Sequence, residues 1–220
     1  MTIETRIKER MGIAHFVVAE KYFSRRNAVY RIDATLKDGT DTSFVYKEYD
    51  CGDIDEEAAV LARFNGDRVP RILMRGENAL CMQHFAGETL MSELEALEPR
   101  GETPYAMLGR LVDFLKHFYT LMPGRIYGDV NLRNFIDTDI GVCGVDLEET
   151  GEGRPETDIG RMAAFILTYR PAHTAYKQDA IAYLIRLAAS KLGIEQAAIE
   201  TEMQAELRAM KTRRIPHMRG

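Results

Sequence analysis

The hydrophobic and polar positions of this chain change character about a third of the way along. Residues 16–23, 28–36 and 43–49 are short runs dense in β-branched and aromatic side chains, separated by polar stretches at 24–27 and 37–40. The Asp38-Gly39 pair in the second break is a hairpin signal, so three antiparallel strands are predicted. From about Asp53 the apolar positions take helical spacing, with Ala58, Leu61, Ala62 and Phe64 as the packing face, until Val69-Pro70 breaks the run. Residues 71–85 then suggest two further strands joined at Gly76-Glu77-Asn78.

Beyond that point helical periodicity dominates. A short helix and a loop fit residues 90–103. Across 105–122, Leu108, Leu111, Val112, Leu115, Phe118, Tyr119 and Met122 recur as one long amphipathic stripe, ended by Pro123-Gly124. Two apolar runs flank a turn at 137–141, and helices are predicted over 159–167, 174–192 and 195–211. Ile181, Leu184, Ile185 and Ala188 line the second of these helices, and Ile199, Met203, Leu207 and Met210 the third. The class is α+β, with a five-stranded antiparallel sheet carrying one helix, then a mainly helical part.

Composition narrows the picture modestly. The chain of 220 residues is long enough for one large domain or two small lobes. No apolar run approaches the roughly 20 residues that span a membrane. The N-terminal residues lack the apolar core of a secretory signal. Cys51, Cys81 and Cys143 are scattered and without metal-ligand spacing, as expected of reduced thiols in a cytoplasmic protein. A formal charge of −5 gives no global attraction to nucleic acid. The local exception is the tail, with Lys211, Arg213, Arg214 and Arg219, which reads either as a solvated end or as a nucleic-acid contact.

The chemistry concentrates in residues 126–150. Asp129 is followed five residues later by Asn134, and the second apolar run of the hairpin ends in Asp146. A carboxylate, a carboxamide and a second carboxylate offer hard oxygen ligands to a divalent metal and a carboxylate to a polarised hydroxyl. The same residues would serve the turns of an ordinary hairpin. In the first part, strand alternation puts Val45 and Lys47 on one face, with Tyr46 and Glu48 on the other. Glu57, early in the following helix, is placed to be a carboxylate partner for Lys47. Acids at a helix start also have a dipole reason to be there.

The ordered set Lys47, Glu57, Asp129, Asn134, Asp146 and Asp158 resembles the kinase-like superfamily, closest to the small-molecule kinases of the aminoglycoside phosphotransferase and choline kinase type. The resemblance covers most of the chain, from about Phe16 to about Ile194. It implies a bilobal kinase-like fold, with residues 1–85 as a nucleotide-binding N-lobe and 86–220 as a C-lobe holding the catalytic loop and metal site. The nucleotide is then expected in the cleft between them. It further implies transfer of a phosphoryl group from ATP or GTP to a hydroxyl. Asp129 would orient the acceptor, Asn134 and Asp146 would hold Mg²⁺ with possible help from Glu148, and Lys47, fixed by Glu57, would neutralise phosphate charge. Asp158 would support the catalytic-loop backbone. Gln83, His84 and Phe85 would form the hinge that reads the base, followed by the Gly87-Glu88-Thr89-Leu90 pattern of the same enzymes.

The chain departs from that pattern in three places. The first hairpin turn, 24–27, has no glycines. Ser24 and Asn27 would donate to phosphate there, with charge from Arg25 or Arg26, or the turn is simply solvated. Tyr127 replaces the usual His, and Asn131 stands where kinases often place a cation. A non-catalytic nucleotide-binding module and a compact RIO-like protein kinase are the alternatives. The segment between Phe85 and Asp129 is short, which leaves little room for a lid, so the acceptor pocket is expected to be shallow and open; the resemblance implies a small polar hydroxyl compound as acceptor, with a protein or RNA surface as the runner-up. Loss of individual site residues is expected to reduce rate and leave the fold intact.

Overall fold

The computed structural model describes residues 8–24, 26–50 and 54–214. Arg25, Cys51, Asp53 and the tail beyond Arg214 lie outside the described residues. The chain divides into two compact units, Met1–Ala86 and Gly87–Gly220.

The first unit is an antiparallel sheet of β1 (Ile13–Tyr22), β2 (Asn27–Leu36), β3 (Asp41–Tyr49), β4 (Ile72–Arg75) and β5 (Ala79–Gln83), in the order β1-β2-β3-β5-β4. The β2–β3 turn forms at Asp38-Gly39 as its residues dictate. Gly39 takes φ +87, a left-handed value that is costly for a side chain with a Cβ, and the Thr40 N–H donates to Asp38 Oδ1 at 2.9 Å. Ile13, Ile32, Ala34, Phe44, Tyr46, Ala79 and Cys81 form the core on one side. Helix α1 (Ile54–Phe64) buries Ala58, Val60, Leu61 and Phe64, and also Glu57. Val60 is buried, whereas Ala62, expected on the packing face, is exposed.

In the second unit, the two-residue strand β6 (Glu88–Thr89) leads into α2 (Leu90–Leu97), capped by the Thr89 hydroxyl, which accepts from the Ser92 N–H. Helix α3 (Tyr105–Leu121) follows the predicted stripe, and Leu108, Leu111, Val112, Leu115 and Phe118 are fully buried. Met107 and Phe114 join them. Full burial of a Leu or Phe contributes roughly 1.5–3 kcal/mol, so this helix anchors the unit.

Strand β7 (Arg125–Ile126) then enters the stretch that carries the chemistry. It is followed by the hairpin β8 (Phe135–Thr138) and β9 (Gly141–Gly144), and by β10 (Gly151–Glu152), which returns to pair with β7. Helix α4 (Pro155–Thr168) begins four residues before the predicted start because Pro155, with no N–H to satisfy, occupies its first turn. Helices α5 (Ala175–Leu192) and α6 (Gln196–Arg214) complete the unit. Ile181, Leu184, Ile185 and Ala188 of α5 are all buried; on α6, Ile199 and Met210 are buried and Met203 and Leu207 half-buried. A Cβ on Gly160 would lie 2.7 Å from the Met203 N and 2.8 Å from the Ile199 O, so α4 and α6 approach backbone to backbone there. No helix among the described residues is long and apolar enough to cross a membrane.

Candidate active site

The stretch from Tyr127 to Asn134 is held from three directions. Asp158, fully buried in the first turn of α4, accepts hydrogen bonds from the Tyr127 N–H (2.6 Å), the Gly128 N–H (3.1 Å) and the Tyr119 hydroxyl (3.0 Å). Gly128 adopts φ +91, and a Cβ there would sit 2.0 Å from the Glu149 carbonyl oxygen. A glycine is therefore required for the loop to lie against the turn that follows the hairpin. The third support is a single 3₁₀ turn, Leu132–Asn134, capped by the Asn131 side chain, which accepts from the Arg133 N–H at 3.2 Å.

This frame leaves Asp129 three-quarters buried, its Oδ1 accepting from the Asn131 N–H at 3.3 Å and its Oδ2 3.5 Å from Arg133 Nη2. Asn134, buried, donates its side-chain amide to the Asp129 carbonyl at 3.0 Å. Its amide oxygen is thus the end that remains for a ligand. The Asn134 carbonyl in turn accepts from the Val145 N–H at 2.9 Å, while the Tyr127 hydroxyl donates to the Val145 carbonyl at 2.5 Å. Val145 is gripped on both sides, and the next residue is Asp146. Its exposed carboxylate projects from a backbone at φ +62, a left-handed conformation that Asp tolerates better than most residues. Glu148, two residues on, is half-buried.

The substitution of Tyr127 for His is thereby explained. The ring is fully buried among Phe114, Phe118 and Phe135, with centroid separations of 6.1, 5.4 and 5.0 Å, and its hydroxyl reaches the Val145 carbonyl just past β9. Gly144 makes room for it, since a Cβ there would lie 2.8 Å from the Tyr127 hydroxyl and 2.5 Å from the Phe114 ring. Asn131 is likewise structural. Besides capping the turn, its Oδ1 accepts from the Tyr169 hydroxyl at 3.1 Å, and the Tyr169 oxygen accepts from the Leu132 N–H at 3.0 Å. Sequence reasoning missed Tyr169, which lies just past the end of α4 with nothing local to mark it. It also missed Arg133, whose i,i+4 spacing from Asp129 was available as a signal.

In the first unit, Lys47 and Glu57 form a buried ion pair at 2.8 Å, with side-chain exposures of 5% and 1%. Glu56, its neighbour, is exposed. The Tyr49 hydroxyl donates to the same Glu57 oxygen at 2.5 Å, and Lys47 Nζ stands 5.0 Å from the Tyr49 ring centroid. A buried pair of this kind is costly to break, so Lys47 is also a structural residue, and its loss is not confined to rate. At the β1–β2 turn, the Ser24 hydroxyl oxygen accepts from the Asn27 N–H at 3.2 Å and Asn27 is buried, so both residues shape the turn. Gln83 ends β5 with its N–H donating to the Arg71 carbonyl at 2.9 Å. His84 is half-buried, its pKa lowered chiefly by burial and further by Arg31, and Phe85 is buried.

The electrostatics of Asp158 yield a test. Burial pushes its carboxyl up to about 6 from an ordinary 3.8, against the opposing pull of the Tyr127 and Gly128 N–H donors and the Tyr119 hydroxyl. A carboxyl whose folded-state pKa is raised binds its proton more tightly in the folded chain than in the unfolded one. Its contribution to stability is fully present below about pH 4 and is lost as pH rises through about 6. The stability difference between wild type and Asp158→Asn is therefore expected to shift by roughly 3 kcal/mol against the wild type across that window. Denaturant titrations at a series of pH values check this, and a difference that stays flat would contradict it.

No protein-family model and no curated protein matches the chain by sequence. By structure it is similar to the choline kinase from Cryptosporidium parvum Iowa II, with a TM-score of 0.55 over 93% of this chain and 87% of that one, at 10% sequence identity. The chain therefore has a kinase-like α+β fold, as its ordered motifs imply.

Proposed function

We propose that the protein is a phosphotransferase that moves the γ-phosphoryl group of ATP or GTP to a hydroxyl of a small polar molecule. The observation that carries this reading is the frame in the second unit, where one hydrogen-bonded network positions Asp129, Asn134 and the residue before Asp146. A hairpin whose polar residues served only its turns would not need Asp158, Tyr127 and Gly128 buried behind it. The kinase-like fold and the Lys47–Glu57 pair support the same reading.

In this reading Asp129 orients the acceptor hydroxyl and receives its proton. A bond forms between the acceptor oxygen and the γ-phosphorus, the bond from that phosphorus to the β–γ bridging oxygen breaks, and the nucleoside diphosphate leaves with the electron pair. Lys47, held by Glu57, neutralises charge on the α- and β-phosphates. Asn134 and Asp146 present oxygen ligands that fit a hard divalent cation, and Mg²⁺ bound there would offset phosphate charge. Most of the rate advantage then comes from positioning and preorganised charge, which a frame tied at this many points can supply.

A small acceptor is favoured because a structural neighbour is a choline kinase. Glu149 and Glu152 are exposed and Glu148 half-buried, which suits a polar or cationic compound. Two measurements test the proposal. Calorimetric titration of ATP is expected to show tighter binding with Mg²⁺ than without it, and equal affinities would remove the metal assignment. A screen of hydroxylated metabolites is expected to find one that raises ADP release above background. Phosphorylation of a macromolecule with a blank metabolite screen would overturn the small-acceptor reading.

A further inference from the structure

We propose that β1 is an association surface whose occupant is the β1 strand of a second copy of this chain, paired antiparallel about a two-fold axis at Val17. The proposal is independent of the phosphotransferase reading, since it concerns only the edge of the sheet in the first unit. The sheet order leaves two edges, β1 and β4. An edge strand turns every second N–H and C=O outward, and proteins blunt such edges by keeping them short, charged or covered. β4 is short, at four residues. β1 has ten, and from Ala14 to Lys21 every residue except Phe16 is exposed. Its middle is Phe16-Val17-Val18-Ala19, with Val17 50% and Val18 57% exposed. With Phe23, just past the strand, these are three of the five large apolar side chains exposed among the described residues, so the open apolar surface concentrates at this edge.

The two faces of β1 select the strand that fits. Its pairing with β2 sets His15, Val17 and Glu20 on the face of Thr35, Asp33 and Arg31, and sets Phe16 and Val18 on the face of Ala34 and Ile32, beside the core. Val18 thus extends the core face to the edge, yet stays more than half exposed. The register shifts between Val18 and Glu20, which makes Ala19 the extra residue of a bulge. With the axis at Val17, that residue meets its own copy and Phe16 meets Val18. The bulge then brings His15 opposite Glu20, each pair lying on one face of the joined sheet. Apolar side chains oppose apolar ones, and an imidazole N–H opposes a carboxylate, a match that holds whether the ring is neutral or charged. An axis at Val18 would instead set Val17 against Glu20 and Phe16 against Lys21. The strand is complementary to itself in the Val17 register, which favours a second copy over an unrelated strand, as in an isologous dimer.

Sedimentation velocity of the full-length protein over about 1–100 μM, the range in which a modest interface dissociates, is expected to show a reversible dimer. Val17→Lys puts two like charges together at the axis and is expected to raise the dissociation constant by about 10-fold or more. The new side chain is half exposed and lies beside Asp33 in its own sheet, so the melting temperature should match the wild type's. Leu73→Lys, at the exposed apolar position of β4, should leave the dimer unchanged. Val17→Cys should give a disulfide-linked dimer under mild oxidation, beyond any that the native Cys51, Cys81 and Cys143 give in the wild type. A wild type that stays monomeric, one that pairs only with an unrelated protein, or a dimer that Leu73→Lys disrupts and Val17→Lys does not, would overturn the proposal. A Val17→Cys dimer that forms without cross-linking would overturn the register. None of these readouts depends on phosphoryl transfer.

Discussion

Replacing Asp129 with Asn is expected to lower phosphoryl transfer by about 10²-fold or more while ATP binding and folding persist. The size follows from what a positioned general base contributes. The persistence follows from the geometry. Asn keeps the shape of the side chain, and its amide oxygen can still accept from the Asn131 N–H, now 3.3 Å from Asp129 Oδ1. The tie from Asn134 runs to the Asp129 backbone carbonyl and is untouched by the substitution. Only the half-exposed pairing with Arg133 is lost, which is worth little in stability. Calorimetric ATP titration and a transfer assay on the same preparation separate the two effects. Transfer at a near wild-type rate would remove Asp129 from the chemistry.

The second large effect is expected at Lys47, and there it is mainly one of stability. Glu57 is 1% exposed in its side chain, and without Lys47 it retains the Tyr49 hydroxyl as a hydrogen-bond partner but loses its cation. Breaking a buried pair by removing one member typically costs about 3–5 kcal/mol, because the other charge is left uncompensated. Lys47→Met is expected to lose stability on that scale. The double variant Lys47→Met, Glu57→Gln should recover most of it, since no charge then remains buried. Both should bind ATP poorly. Equilibrium denaturation with matched m-values checks the first statement, and ATP titration of the folded double variant checks the second. If single and double variants were equally stable, burial of an uncompensated charge would not be the cause. Wild-type ATP affinity in the double variant would remove Lys47 from phosphate binding.

These two positions also show what could be read from the chain before its structure. Residues that act through local spacing were legible. The α+β class followed from the change of period, and the alternation along β3 separated Lys47 from Tyr46. The choice of Glu57 over Glu56 came instead from the resemblance, whose pattern puts the glutamate directly before small residues, and the structure pairs Glu57 with Lys47. Features that depend on contact between distant segments were not legible. Tyr127 read as a departure from a pattern, because nothing in the sequence says that a phenol can reach the Val145 carbonyl. Asn131 read as a weakened phosphate contact, because its partner Tyr169 lies far along the chain. The glycines at 128 and 144 serve close approaches that only the packed loop and ring cluster create. The early start of α4 was missed for a different reason. Apolar periodicity begins at Ile159, but Pro155 opens the helix and carries Asp158 into its first turn.

The most direct measurement follows the γ-phosphate itself. The protein is mixed in slight excess with ATP labelled at that phosphate, Mg²⁺ and a mixture of hydroxylated metabolites, and the label is separated by chromatography after a single turnover. The label is expected to move from ATP to a metabolite in the wild type, with one ADP formed for each phosphate transferred, and to remain in ATP with Asp129→Asn. Label that stays in ATP with wild-type protein, or that moves equally well with Asp129→Asn, would contradict the account.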